Sequence, residues 1–272
     1  MIKTLINGVE QNSIDVRDRG FQYGDGVFET IAYKNNELQL WAEHMQRLQH
    51  SCQRLSLNCP AESSLLEDIK KLQLTDDSVI KIIISRGVSG RGYTFQESSC
   101  VTRVSTAYPW PNYTRFSEKG ITATICETPV STNSALAGIK HLNRLDNVLA
   151  RNEWQSSEIA EGIMLDYQQH IIEGTMSNIF GVLDNELYTP LLTQSGVAGV
   201  MRSNVIELAK SMDIPVNIID ISKQNFLLMD AAFVTNSVIG LWVVNKIIDT
   251  ELQVEFTENE LVQALKRAIE NR

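Results

Sequence analysis

Lys140 is the first residue of this chain whose type and surroundings point to chemistry. It lies in the segment 137–145, Ala-Gly-Ile-Lys-His-Leu-Asn-Arg-Leu, and Leu142, Leu145 and Leu149 recur behind it. This spacing predicts a helix that Lys140 opens. The positive end of a helix dipole disfavours a cation and favours the neutral amine that a Schiff base or a general base requires. A surface lysine beside a helix start fits the same position, so position alone leaves both interpretations open.

Two further segments could hold a cofactor. Glu173 follows a predicted strand and precedes the small and polar residues 174–178. A carboxylate there could face a cofactor ring, or it could equally be an exposed glutamate at a strand end. Gly196 and Gly199 precede a helix predicted at 200–212, whose first N–H groups could bind a phosphate. No Gly-Lys-Ser/Thr follows, which excludes a Walker loop, and a glycine pattern alone is a weak signal.

Two arginines could bind anions. Arg91 lies in the glycine-rich loop 87–93 and could bind a substrate carboxylate, although a flexible surface loop has the same composition. Arg47 lies on a predicted amphipathic helix and could contact a phosphate, although a solvated helix arginine is the simpler interpretation.

The elements that must position these groups form two predicted α+β domains. A hairpin is predicted from Ile179 to Tyr188 with its turn at Asp184-Asn185. Two prolines in the segment Tyr108–Asn112 interrupt regular structure, and the pattern changes beyond them. The predicted organisation is an N-terminal domain over 1–112, an interdomain linker over 113–120 and a C-terminal domain over 121–272.

Composition narrows the classes of partner. The chain has 272 residues with 43% hydrophobic and 21% charged content, which is typical of a soluble globular protein. Its net charge of -9 argues against nucleic-acid and anionic-membrane partners. The 4 cysteines and 4 histidines show no metal-ligand spacing, so no metal site is expected. No signal-peptide or membrane-span pattern is present, so a cytoplasmic protein is expected.

Taken together along the chain, these segments resemble the fold-type IV enzymes that use pyridoxal 5'-phosphate (PLP). The residues that look like the class IV aminotransferase signature are Glu173, Asn178, Ile179, Phe180, Gly196, Gly199 and Arg202. The segment 44–48, His-Met-Gln-Arg-Leu, is similar to the family's helix that supplies a phosphate-binding arginine. The resemblance covers most of the chain, from residues 6–8 to residues 235–237. It implies a D-amino-acid-aminotransferase-like α+β fold, with a smaller N-terminal α/β domain and a larger C-terminal domain whose sheet is β-barrel-like.

Within that family the aminodeoxychorismate lyases are the most similar group. The segments 84–87, 90–93 and 136–145 look like theirs, and Tyr93 stands where D-amino-acid transaminases carry the histidine of an Arg-x-His motif. The implied reaction converts 4-amino-4-deoxychorismate to 4-aminobenzoate and pyruvate in folate biosynthesis. A D-amino-acid or branched-chain aminotransferase on the same scaffold is the alternative. A binding protein without turnover is a third possibility, against which Lys140 and Glu173 argue.

The resemblance also implies a role for individual residues. Lys140 is expected to form a Schiff base with PLP and to move protons, with Thr30 assisting proton delivery. The expected cofactor contacts are Lys140, Arg47, Glu173, Asn178, Val200, Met201 and Ser237. Arg91 and Asn236 are expected to bind substrate carboxylates. The family is homodimeric, so a homodimer is expected, in which the Arg91 loop could act in its own or in the partner's site.

Overall fold

The computed structural model describes residues 2–94, 100–248 and 253–271. The chain divides into two compact units. Unit 1 comprises Met1–Pro111 and Ile139–Asn143, and unit 2 comprises Asn112–Gly138 and Arg144–Arg272.

Unit 1 contains an antiparallel sheet and three described helices. Its described strands are β1 (Lys3–Ile6), β2 (Val9–Glu10), β3 (Gly26–Lys34), β4 (Glu37–Leu38), β5 (Ser78–Ser85) and β6 (Thr102–Pro109). They pair in the order β2-β1-β6-β5-β3-β4. The described helices are α1 (Arg19–Tyr23), α2 (Trp41–Arg54) and α3 (Glu62–Leu72).

The core of unit 1 forms where one face of β3 meets α2. Val27 and Ile31 are buried on β3, and they alternate with the half-buried Phe28 and Thr30. Because side chains of a strand point alternately to opposite faces, Phe28 and Thr30 share the face that does not enter this core. The α2 residues that pack in the same core at helical spacing are Met45, Leu48 and Cys52.

Unit 2 contains a larger mixed sheet. Its described strands are β7 (Ile121–Ile125), β8 (Ile159–Leu165), β9 (His170–Gly174), β10 (Asn178–Leu183), β11 (Glu186–Pro190), β12 (Val216–Ile219), β13 (Ile221–Ser222), β14 (Ala231–Asn236), β15 (Gly240–Ile248) and β16 (Gln253–Glu255). They pair in the order β12-β11-β10-β14-β15-β7-β8-β9-β13, and β16 pairs with β15. The described helices are α4 (Thr114–Lys119), α5 (Leu145–Arg151), α6 (Val200–Ser211), α7 (Lys223–Phe226) and α8 (Glu260–Glu270).

The sheet of unit 2 is strongly curved. Only residues 175–177 join β9 to β10, although β14, β15, β7 and β8 lie between these two strands in the sheet order. Such a connection reaches at most about 14 Å. In a flat sheet the two strands would be about 24 Å apart. The sheet must therefore curl until β9 and β10 approach each other, as the predicted β-barrel-like sheet requires.

Two local predictions can be compared with the backbone. The hairpin is confirmed, because β10 pairs with β11 and the turn residues Asp184 and Asn185 have φ angles of 51° and 62°. The stretch 113–120, predicted as a linker, contains helix α4. Over the described ranges, none of the helices combines the length and apolar character needed to cross a membrane.

Candidate active site

Lys140 lies in an extended segment of unit 1 that pairs with β3. Its carbonyl accepts a hydrogen bond from the Phe28 N–H at 2.9 Å, and the Leu142 N–H donates to the Gly26 carbonyl at 3.0 Å. Helix α5 begins only at Leu145, so the predicted helix opening at Lys140 is wrong. The argument from the helix dipole is therefore wrong as well. The field of a helix dipole falls off within the first turn, and Lys140 lies five residues before the start of α5.

The pairing places the Lys140 amine on the face of β3 that carries Phe28 and Thr30. The amine nitrogen Nζ lies 4.4 Å from the centroid of the Phe28 ring. Thr30 is two residues beyond Phe28, so it points to the same face of the strand. The two residues predicted to transfer protons, Lys140 and Thr30, are therefore presented on one face of unit 1.

Arg47 is held on the opposite face of β3 by a buried carboxylate. Its Nε donates to Glu29 Oε1 at 2.8 Å, and its Nη2 bonds to Glu29 Oε2. His44 Nδ1 lies 2.6 Å from the same Oε2, and the His44 and Glu29 side chains are both buried. Burial opposes ionisation of Glu29, but the charge of Arg47 and the hydrogen bonds from Arg47 and His44 lower its pKa to about 2. Because Arg47 does not share the face of Thr30, its contact with a phosphate stays a prediction.

The Glu29→Gln variant is expected to be less stable and less sensitive to acid than the unchanged chain. The pKa of Glu29 falls from 4.5 to about 2 on folding, so its ionised form stabilises the fold fully above pH 4.5 and loses that effect as the pH falls towards 2. A shift of this size corresponds to about 3 kcal/mol. Urea unfolding measured from neutral pH down to about pH 3 tests this. Glu43→Gln, an exposed carboxylate on α2, is the control. If the free energy of unfolding of Glu29→Gln depends on pH as in the unchanged chain, the lowered pKa of Glu29 does not stabilise the fold.

Arg91 lies in an exposed loop that follows β5. The start of the loop is tightly packed, because a Cβ added at Gly87 would lie 1.9 Å from the Cys100 carbonyl oxygen. Gly87 and Gly92 adopt φ angles of 80° and 99°, which favour glycine. The Arg91 side chain is exposed, and its contact with a substrate carboxylate stays a prediction.

Four predicted cofactor contacts of unit 2 are connected through Val197. The Val197 N–H donates to Glu173 Oε2 at 2.7 Å, and the Val197 carbonyl accepts from Asn178 Nδ2 at 2.8 Å. Glu173 is 3% exposed at the end of β9, and Asn178 opens β10. Val197 also leads through Gly199 into α6, which begins with the predicted contacts Val200 and Met201. One short segment therefore connects a buried carboxylate, an amide and a helix N-terminus.

The start of α6 is shaped to receive an anionic group. Its N-cap residue is Gly199, which has no side chain to accept the first N–H groups of the helix. A Cβ at Gly199 would lie 1.9 Å from Asn178 Oδ1, so a larger residue would have to displace the Asn178 side chain. The helix N-terminus suits a phosphate and Glu173 suits a protonated ring nitrogen, so these residues fit the PLP that the resemblance implies.

The Gly199→Ala variant is expected to weaken PLP binding by about tenfold, since Asn178 or the helix start must shift to admit the new methyl group. Fluorescence titration of the cofactor-free protein with PLP measures the Kd. Ser211→Ala is a matched control at the far end of α6, where Ser211 Oγ donates to the Leu208 carbonyl at 2.7 Å. Unchanged affinity in Gly199→Ala would show that this helix start does not bind the cofactor.

A buried glutamate that the sequence analysis missed shapes the turn after Glu173. Glu161 Oε1 accepts from the Thr175 hydroxyl at 2.6 Å and the Thr175 N–H at 3.0 Å, and Glu161 Oε2 accepts from the Ser177 hydroxyl at 2.6 Å. Burial raises the pKa of Glu161, although these hydrogen bonds act in the opposite direction. Glu161 was detectable, because a carboxylate within an apolar strand is rarely buried without a partner.

Asn236 and Ser237 lie where β14 runs into the turn before β15. Asn236 Nδ2 donates to the Met176 carbonyl at 3.0 Å, and Asn236 Oδ1 accepts from the N–H groups of Val238 and Ile239, both at 2.9 Å. The structure thus shows Asn236 stabilising two turns of unit 2. The predicted roles of Asn236 towards substrate and of Ser237 towards phosphate stay predictions.

The predicted residues are divided between the two units. Unit 1 contains Thr30, Arg47, Arg91 and Lys140, whereas unit 2 contains Glu173, Asn178, Val200, Met201, Asn236 and Ser237. Within unit 1 the structure brings Lys140 and Thr30 to one face. Within unit 2 it brings Glu173 and Asn178 to the start of α6.

Comparisons with known proteins identify the family. Residues 26–247 match the family model described as amino-transferase class IV. The chain is 37% identical over 264 residues to an aminodeoxychorismate lyase of Vibrio harveyi, covering 96% of this chain and 97% of the relative. The crystal structure of 4-amino-4-deoxychorismate lyase from Pseudomonas aeruginosa has a TM-score of 0.92 and 35% identity, with 98% of each chain covered. The branched-chain amino acid aminotransferase from Escherichia coli has a TM-score of 0.85 and 25% identity, with 99% and 93% covered.

These matches confirm the predicted resemblance and the predicted two-domain fold. They also confirm PLP as the cofactor, since enzymes of this family depend on it. The family model spans most of the sequence and the Vibrio harveyi relative aligns over nearly its whole length, so the chain belongs to the class IV aminotransferase family.

Proposed function

We propose that this chain is a PLP-dependent carbon–oxygen lyase that converts 4-amino-4-deoxychorismate to 4-aminobenzoate and pyruvate, a step in folate biosynthesis. The observation that carries the proposal is the similarity to two proteins named as this lyase, at 37% and 35% identity over nearly the full length. The Escherichia coli aminotransferase has the same fold but only 25% identity.

The reaction requires two proton transfers and one bond cleavage. A proton leaves the ring carbon that bears the amine, the ether bond to the enolpyruvyl group breaks, and the ring becomes aromatic. The released enol then gains a proton on carbon and becomes pyruvate. Bound PLP supplies an electron sink for this chemistry. The chain must therefore supply a base, a proton donor and contacts for the charges of cofactor and substrate.

Lys140 is the base in this proposal. Its amine is carried on a paired, extended segment, and the Phe28 ring packs 4.4 Å from it, so the amine has a defined position rather than that of a solvated surface lysine. Thr30 is on the same face of β3, where a hydroxyl can pass a proton to the departing enol.

Glu173 and the start of α6 hold the cofactor in this proposal. Glu173 is buried and fixed by the Val197 N–H, so its charge can keep a pyridine nitrogen protonated. The first N–H groups of α6, from Val200 and Met201, provide a phosphate site, with Arg47 and Ser237 as further contacts.

Arg91 binds a substrate carboxylate in this proposal, and Asn236 is assigned to the same task. The substrate is a dianion, whereas the chain has a net charge of -9. The overall field therefore repels the substrate, and recognition requires local cations such as the exposed guanidinium of Arg91.

The decisive experiment is a turnover assay on the purified, PLP-loaded protein. Aminodeoxychorismate is generated in place by a synthase from chorismate and glutamine, and 4-aminobenzoate and pyruvate are quantified together. D- and L-amino acids with a keto acid are tested in parallel. Equal amounts of both products with slow amino-group exchange would support the lyase. Fast exchange without 4-aminobenzoate would replace it with the aminotransferase alternative.

A homodimer is also part of the proposal. Helix α5 presents Leu145, Val148 and Leu149 at i, i+3 and i+4, and these side chains are 75%, 53% and 61% exposed. An apolar stripe facing water is typical of a protein interface. Sedimentation equilibrium should give twice the 30.6 kDa mass of one chain, and a stable species of 30.6 kDa would refute the dimer.

A further inference from the structure

Arg19 contacts both ends of the glycine-rich loop 87–93, which carries Arg91. The Arg19 backbone N–H donates to the Gly87 carbonyl at 2.9 Å, where the loop begins. Its guanidinium donates to the carbonyls of Gly92 at 2.8 Å and Tyr93 at 3.2 Å, where the glycine-rich segment ends. A single residue therefore holds both ends of the loop, with Arg91 between them.

Arg19 is itself held in a fixed orientation. It is only 3% exposed, its Nε donates to Asp25 Oδ2 at 2.8 Å, and its guanidinium carbon lies 4.8 Å from the centroid of the Tyr23 ring. A planar guanidinium directed by a carboxylate and an aromatic ring has little remaining rotational freedom. The positions of the Gly92 and Tyr93 carbonyls are consequently tied to the α1 and β3 region of unit 1.

Asp25 also binds Arg86, the residue that directly precedes this loop. Arg86, the last residue before Gly87, donates to Asp25 Oδ2 at 2.8 Å and to Asp25 Oδ1 at 3.0 Å. Arg86 also donates to the carbonyls of residues 55 and 56 at the end of α2, at 2.7 and 2.8 Å. The Asp25 carboxylate thus orients two buried arginines, Arg19 and Arg86. Both arginines also donate to backbone carbonyls.

We propose that Arg19, oriented by Asp25, is a positioning residue that sets the place of Arg91 for recognition of a substrate carboxylate. The proposal rests on the proposed function, in which Arg91 makes that contact. Arg19 acts through the loop backbone, so its loss should alter substrate affinity more than the chemical step or cofactor binding. Arg91 would keep its charge but lose its defined location.

The test combines kinetics with proteolysis. In Arg19→Gln, KM for aminodeoxychorismate should rise about tenfold, while kcat and the Kd for PLP stay within about twofold. Trypsin should cleave the Arg91–Gly92 bond about tenfold faster, because a loop that opens more often is a better substrate. Mass spectrometry of the fragments identifies this site. Cleavage needs neither substrate nor cofactor, so it tests the Arg19 contact even if the lyase assignment fails.

A matched control and a second variant complete the test. Arg17→Gln removes an exposed arginine that pairs with Asp15 and should leave KM and the cleavage rate unchanged. Gly92→Ala changes a residue whose carbonyl accepts from Arg19, since Gly92 has a φ angle of 99° and no atom of the described residues lies within 4 Å of an added Cβ. It strains only the loop and should raise KM and cleavage in the same direction, which keeps the proposal testable if Arg19→Gln fails to fold. A folded variant with unchanged KM and an unchanged cleavage rate would overturn the proposal. So would a rise in KM accompanied by equal falls in kcat and in PLP affinity.

Discussion

Replacing Lys140 with alanine is expected to lower kcat by about 10⁴-fold or more, to the background of the assay. Lys140 is the proposed base; the Lys81 amine also lies near the Phe28 ring, 5.1 Å from its centroid, so loss of activity in Lys140→Ala would show that Lys81 cannot replace Lys140. The visible absorbance of the bound cofactor should change at the same time, because the lysine proposed to bind PLP is gone. Stopped assays of both products and an absorbance spectrum of the loaded variant measure the two effects.

Lys70→Ala is the matched control for this experiment. Lys70 is an exposed lysine on α3 in the same unit, so its removal changes the net charge equally and should leave turnover and spectrum intact. Retention of more than about one per cent of activity in Lys140→Ala would assign the proton transfer to another group.

Replacing Glu173 with glutamine is expected to lower kcat by roughly 10²-fold. Glutamine keeps the size of the side chain and can still accept the Val197 N–H. It removes the negative charge that is proposed to keep the pyridine nitrogen protonated, so the electron sink should weaken although the cofactor still binds. We expect the Kd for PLP to rise less than tenfold, which separates an electronic effect from loss of the cofactor.

Glu158→Gln provides the comparison for Glu173→Gln. Glu158 is an exposed glutamate of unit 2 that pairs with Arg115, and its neutralisation should change neither kcat nor PLP affinity. An unchanged kcat in Glu173→Gln would mean that another group protonates the ring, and the role given to Glu173 would then be wrong.

The sequence predicted the elements whose signals are local. The hairpin turn at Asp184-Asn185 is an example, because both residues adopt positive φ angles that asparagine and aspartate tolerate better than most residues. The buried face of β3 is another, because the alternation of Val27 and Ile31 with half-buried neighbours requires only the strand itself.

Features that depend on distant parts of the chain were not predictable in this way. Leu142, Leu145 and Leu149 imitate the stripe of a buried helix, but Leu145 and Leu149 are exposed, and α5 starts five residues after Lys140. The true position of Lys140 is set by its pairing with β3, more than 100 residues earlier in the chain. No periodicity near Lys140 encodes that pairing.

Some missed residues did carry a usable signal. Glu29 lies between Val27 and Ile31 on one face of β3, and Glu161 lies within the apolar strand β8. A carboxylate at such a position needs a partner, which the structure supplies as Arg47 for Glu29 and as two hydroxyls with backbone N–H groups for Glu161. The identity of those partners, however, follows only from the fold.

The backbone of Val197 links groups that the proposed function assigns to different parts of one cofactor. Its N–H binds Glu173, its carbonyl binds Asn178, and the chain enters α6 three residues later. The carboxylate proposed to face the cofactor ring and the helix start proposed to bind its phosphate are therefore mechanically coupled. A redesign that slides α6 to admit a longer or shorter cofactor analogue would also displace Glu173, so electronic tuning and phosphate recognition cannot be engineered independently in this scaffold.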